Sequence, residues 1–175
     1  AHAGYTVPHW PRPWGLDADP IHQIVIDDEL RRAGVSRPYN PIGIGWAGPT
    51  LLAAGTEEQK ARHLMALVEG TDIWCQLFSE PGAGSDLANL GTRAVRDGDE
   101  WIVNGQKIWT SLGHQARYGI LIARTDPDAP KHRGITFLIV DMHSPGVDVR
   151  PLREATGQAF FNEVFLSDVR VPIDH

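Results

Sequence analysis

One change of period, near residue 73, limits what this chain can fold into more than any other feature. Before it, apolar residues recur at helical spacing. After it, short β-type runs alternate with turn residues. Asp19-Pro20 opens the first helix, because Asp caps well and Pro suits the first turn. Ile21, Ile24, Val25 and Leu30 form one face of this helix, and Gly34 supplies its stop. After the break at residues 36–41, a second helix is expected over about 43–54, ended by Gly55. A third starts at Thr56, which has capping-box spacing to Gln59. Its stripe is Ala61, Leu64, Met65 and Val68, and Gly70 ends it. The Pro- and aromatic-rich residues 1–18 read as an ordered loop anchored by Trp10 and Trp14.

From Ile73-Trp74-Cys75-Gln76-Leu77-Phe78 onward the chain reads as strands. Arg96-Asp97-Gly98-Asp99 carries a turn signal. Asn104-Gly105, between Trp101–Val103 and Gln106–Trp109, predicts a hairpin. Further strands are expected at Tyr118–Ala123, Gly134–Val140 and Glu163–Leu166, with a polar loop over 125–133. Helices followed by strands imply an α+β chain: a helical domain over 1–72 and a separate β-domain over 73–175.

The bulk numbers exclude several classes. At 42% hydrophobic and 22% charged residues, a packed core is expected. The net charge of −6, with basic residues scattered, leaves no nucleic-acid footprint. No apolar run reaches the ~18 residues of a membrane span. The single cysteine, Cys75, makes no internal disulfide and reads as a buried structural thiol in a strand. The eight histidines show no metal spacing, so no metal is expected. A reducing aqueous compartment follows as the default reading.

The Gly-rich stretch Pro81-Gly82-Ala83-Gly84-Ser85-Asp86 fails each obvious test. A dinucleotide fingerprint needs Gly at position 87, where Leu87 stands, and a phosphate loop needs Gly-Lys-Ser/Thr. A hydrolase elbow also needs Gly at that position. A tight turn after a strand explains the stretch on residues alone.

Two stretches remain unusual: Ser79 to Asp86 at a strand end, and Lys107-Ile108-Trp109-Thr110-Ser111, about 30 residues later. Both carry hydroxyls, and the second adds a large flat aromatic. A planar heteroaromatic cofactor needs that combination. A strand-end turn and a core tryptophan explain it as well, and the residues alone leave both readings open.

At this point the chain resembles the acyl-CoA dehydrogenase family over nearly its whole length. Gly55 to Lys60 looks like the family's helix start. Ser79-Glu80-Pro81 through Asp86 looks like its first signature, and Asn104-Gly105-Gln106-Lys107 with Trp109-Thr110-Ser111 like its second flavin segment. Asn162 through Pro172 looks like the strand leaving the β-domain. Leu77-Phe78, Asn89 and Ser111 depart mildly from the pattern.

The resemblance implies the end of an N-terminal helical domain, then an antiparallel β-barrel or sandwich, without the C-terminal helical bundle. It implies FAD held by Gln76, Phe78, Ser79, Gly84, Ser85, Trp109, Thr110 and Ser111, with Ser85 also near the CoA part of the substrate. The implied reaction is α,β-desaturation of an acyl-CoA thioester, as in fatty-acid β-oxidation. The catalytic carboxylate is expected beyond His175, so the 175 residues alone are not expected to react. The resemblance further implies an electron-transfer flavoprotein acceptor, a homodimer or homotetramer, and the bacterial cytoplasm or the mitochondrial matrix. An oxygen-using flavin relative and a non-catalytic partner subunit or fragment are the alternatives.

Overall fold

The third helix shows how directly local sequence sets an element. In a computed structural model, which describes residues 1–174, α3 (Glu57–Glu69) starts at the cap the sequence marks. The Thr56 hydroxyl accepts from the Gln59 amide at 3.2 Å, and the Gln59 side chain accepts from the Thr56 amide at 2.9 Å. Two of the orphan donors of the first turn are thereby satisfied. Gly70 ends the helix at φ +74°, a conformation that disfavours any side chain. His63, Leu64, Leu67 and Val68 are buried along one face.

The chain divides into two compact units, Ala1–Ile73 and a second from Trp74 onward. In the first, α1 (Pro20–Arg32) has the expected cap, with Asp19 accepting from the His22 amide at 2.9 Å. Its apolar face departs from expectation. Ile21, Ile24 and Val25 are 73%, 63% and 55% exposed, and no residue of α1 is buried. The second helical stretch opens with a wide π turn (Gly43–Ala47) that continues into α2 (Gly48–Ala54). Gly48 lets this stretch pack closely, because a side chain there would strike the buried indole of Trp10. Trp10 is thus the anchor expected of it, whereas Trp14 is only half-buried.

The second unit is a seven-stranded sheet: β1 (Trp74–Leu77), β2 (Arg93–Asp97), β3 (Glu100–Ser111), β4 (Tyr118–Arg124), β5 (Ile135–Asp141), β6 (Val147–Pro151) and β7 (Phe161–Pro172). Most pairings are antiparallel, as expected, but β1 and β2 each join β4 in parallel, which makes the sheet mixed. One edge of β4 carries β5 along its length. The other edge is shared: β1 covers it as far as the Leu77–Leu121 pair, and β2 reaches it only at Arg93–Arg124. Cys75, Leu77, Val103, Leu121, Leu138, Val140, Val164 and Val171 are among the buried residues of its core. Burial pushes the Cys75 thiol up to about 12, which leaves it inert.

The expected Asn104-Gly105 hairpin does not form. Both residues lie inside β3, and the hairpin turn is instead at Gly98, φ +61°, between the paired Asp97 and Glu100. Asn104 answers an irregularity in the facing strand. It donates to Asp168 at 2.9 Å and accepts from the Asp168 amide at 3.0 Å, where Asp168 takes φ +50°. Gly105 is required by close packing, because a Cβ there would collide with Thr92. Strands β2 and β6, absent from the sequence reading, are five residues each and mostly exposed; β6 has only the short alternation of Val147 and Val149 with Asp148 and Arg150.

Candidate functional site

After Leu77 the chain leaves the sheet, and the Gly-rich stretch folds as a tight turn. Glu80 and Ala83 exchange amide-to-carbonyl bonds of 2.9 and 3.1 Å. Gln76, Phe78 and Ser79 are half-buried, while Gly84 and Ser85 are exposed. Ser85, Asp86, Leu87, Ala88, Ile122, His132 and Ile135 line an open groove of about 380 Å³, and Lys131 pairs with Asp86 across 2.6 Å at its rim.

The second stretch lies against the first. The Ile108 amide donates to the Ser79 carbonyl at 2.9 Å, and Lys107 Nζ donates to the Phe78 carbonyl at 3.0 Å. Two segments 29 residues apart thus share one place. In a regular strand, residues 107 and 109 would face the same side. Here a register shift between Lys107 and Thr110 adds one residue to β3 relative to β7. The result is a β-bulge that re-aims a side chain. Lys107 and Thr110 point inward and are buried, whereas Trp109 is turned out and 60% exposed.

Trp109 holds φ +59°, an uncommon backbone for a large residue, and such strain concentrates where a side chain must be presented. Its indole meets Phe161 edge-on at 6.0 Å, and Phe161 meets Phe160 edge-on at 5.2 Å. Ser111 is half-buried beyond it. Thr110 faces the interior, its hydroxyl buried without a partner. The Thr110 carbonyl accepts from the buried Asn162 side-chain Nδ2 at 2.9 Å, and the Asn162 side-chain Oδ1 lies 3.1 Å from His114 Nδ1.

Three residues that the sequence reading placed within its marked segments without giving them a role are central here: Glu80, Lys107 and Asn162. Lys107 is fully buried and 2.9 Å from Glu80, itself only 10% exposed. Burial pulls Lys107 below its ordinary value, against the opposing hydrogen bond and charge of Glu80. For Glu80, burial acts to raise the carboxyl. Hydrogen bonds from Lys107, Thr92 and Gly91 outweigh it and hold the carboxyl below the usual range. The signal was present in the sequence: period-2 alternation puts Lys107 on the inward face with Val103, which demands a buried partner. Glu80 and Asn162 carried no such mark, since their partners are remote.

The arrangement suits a planar heteroaromatic ligand. An exposed indole on a strained bulge offers a π-face, and Ser79 and Ser111 stand half-buried on the two neighbouring stretches. Among the described residues, no group of three or more His, Cys, Asp or Glu could hold a metal, and no helix is long and apolar enough to cross a membrane.

Comparison with known proteins agrees over nearly the whole chain. Residues 1–71 match the family model for the acyl-CoA dehydrogenase N-terminal domain, and residues 75–169 the model for its middle domain. The acyl-CoA dehydrogenase FadE34 of Mycobacterium tuberculosis is 57% identical over 172 residues, covering 98% of this chain and 24% of that protein. The solved steroid ACAD Tcur3481-Tcur3483 is 41% identical at a TM-score of 0.85, covering 98% of this chain and 44% of that one. A glutaryl-CoA dehydrogenase from Mycobacterium smegmatis, solved in complex with FADH2, is 27% identical at a TM-score of 0.75, again over 98% of this chain and 44% of its own. The chain therefore spans from a quarter to under half the length of these relatives.

Proposed function

The chain belongs to the acyl-CoA dehydrogenase family, an oxidoreductase family, and from that premise we propose that the complete protein is an FAD-dependent enzyme desaturating an acyl-CoA thioester. The observation that carries this reading is Trp109, turned outward on a strained bulge beside the Ser79 segment. Bound FAD would supply the hydride acceptor. The indole of Trp109 would cover part of the flavin ring and exclude water from it. Ser79 and Ser111 would aim hydroxyl donors at its polar edge, where charge builds during reduction. Thr110 would contribute through its backbone, since its side chain is buried. Gln76 and Phe78 would close the strand side. Gly84 would let the chain approach closely, and Ser85 would meet the CoA part of the substrate in the groove it lines.

The base that removes the α-proton is expected beyond His175, outside the described residues. We place the division between the two domains at residues 72 and 73. The acceptor would be an electron-transfer flavoprotein and the setting the bacterial cytoplasm, in line with the mycobacterial relatives. The two-part name of the steroid ACAD supports an oligomer, and it widens the substrate class beyond straight fatty acyl chains.

Anaerobic mixing of the FAD-loaded full-length protein with a panel of straight-chain and steroid-bearing acyl-CoAs tests the reading. Bleaching of the flavin band by at least one thioester is the expected result. No bleaching by any of them would sink it, and oxygen uptake by the reduced protein in place of that bleaching would favour the oxygen-using relative.

A further inference from the structure

The edge of β4 has a notch. β1 covers it as far as Leu121, and β2 arrives at Arg124. Between them the Ile122 carbonyl faces no strand, and a buried carbonyl without a donor is costly. The Lys107 ammonium fills this notch. Its three N–H groups go to the Ile122 carbonyl at 3.0 Å, the Phe78 carbonyl at 3.0 Å and Glu80 Oε1 at 2.9 Å. That satisfies all the donors a lysine has. Glu80 in turn accepts the Gly91 amide at 2.6 Å and the Thr92 amide at 2.9 Å, where the chain re-enters the sheet. Ser79, between Phe78 and Glu80, accepts the Ile108 amide. Residues 78, 79 and 80 are therefore each tied to residue 107 or 108.

We propose that the buried Lys107–Glu80 pair is a positioning device that fixes the register of the Phe78–Glu80 segment against the Lys107–Ser111 bulge, and so holds Trp109 outward. The role of that register in holding FAD rests on the function proposed above. Stability alone does not explain the pair. Two charges must be desolvated, and apolar residues of similar volume often serve a core as well. No apolar pair could bond two carbonyls and two amides at once. An arginine, with its planar fork, does not match three separate acceptors around one point. The bulge adds a reason for such a device. One residue of slip along β3 would exchange inward and outward faces, moving Gln106 into the place of Lys107 and Trp109 into the buried place of Thr110.

The test uses the full-length protein carrying Lys107→Met with Glu80→Gln, a neutral pair of similar volume that keeps the core filled if Lys107→Met alone does not fold. Leu138→Ala, a buried cavity on β5 remote from the pair in sequence, serves as the control for a general loss of stability. Two quantities are read: exchange of the Ile108 amide in the flavin-free protein, and the dissociation constant of FAD. The double variant is expected to speed Ile108 exchange and weaken FAD each by about tenfold or more, while Leu138→Ala changes each by less than about threefold. Unchanged Ile108 exchange in the double variant would overturn the proposal. So would an equal loss of FAD in the control, since the pair would then be merely structural. Should the unsubstituted protein bind no FAD, the function proposed above fails, and Ile108 exchange still decides whether the pair sets the register.

Discussion

Helix α3 and strand β3 are nearly the same length, 13 and 12 residues, and they are held in opposite ways. The helix is fixed by its neighbours: Thr56 and Gln59 close its first turn, and Gly70 ends its last. The strand is fixed from afar. Lys107 is answered by residues 15, 27 and 29 positions away, Asn104 by one 64 away, and Thr110 by one 52 away. A helix satisfies its backbone internally and needs only caps and a buried face. A strand leaves its polar groups to others, so an irregularity must be answered by side chains that the fold brings in. The irregular part of β3 carries the candidate site, whereas α3 is regular throughout.

The sharpest way to break this contrast is at the remote pair. Lys107→Met leaves Glu80 ionised and buried beside an apolar chain, and it should cost about 3–5 kcal/mol in chemical denaturation. Restoring neutrality with Glu80→Gln should recover part of that loss. If the single variant matches wild type, long-range pairing is not what holds β3.

Acid provides a second route. The Glu80 carboxyl sits below its ordinary range in the fold, so the folded state binds its proton less readily than the unfolded chain does. Its contribution is complete above the ordinary glutamate range and is lost as pH falls through the lowered value. Denaturation midpoints measured down the acid limb should fall less steeply in Glu80→Gln than in wild type. Parallel limbs would remove Glu80 from the argument.

Trp109→Ala removes the exposed face without touching the core. It should weaken FAD by about 1–3 kcal/mol, as for other aromatic anchors at binding sites, with little change in melting temperature. Unchanged flavin content in the purified variant would count against the assigned role.

At the local end of the comparison, Thr56→Ala should cost about 1 kcal/mol, read as faster amide exchange confined to the first turn of α3. Changes that spread into the sheet would show that the helix is less self-contained than its caps suggest. The smallest effect belongs to Ile24→Gln on the open face of α1, expected within about 0.5 kcal/mol in thermal unfolding. A loss several times larger would mean that this face is covered in the intact protein.

The sequence by itself determined the change from helices to strands near residue 73, the caps of α1 and α3, and the inert burial of Cys75. It also marked the two stretches around Ser79 and Trp109 as unusual. These depend on neighbours within a few positions or on a simple period, and both can be read along the chain. It misplaced the hairpin at Asn104-Gly105, because the same residues serve a bulge, and a bulge is defined only against a facing strand. It did not show whether Trp109 faces in or out, since one extra residue reverses the alternation. Nor did it show that Ile21, Ile24 and Val25 stay open in their unit, because periodicity marks a face and not what covers it. Only the tertiary structure joined Glu80 to Lys107. The notch they fill exists where β1 ends and β2 has yet to arrive on β4, and no local pattern encodes a gap between strands that meet only after folding.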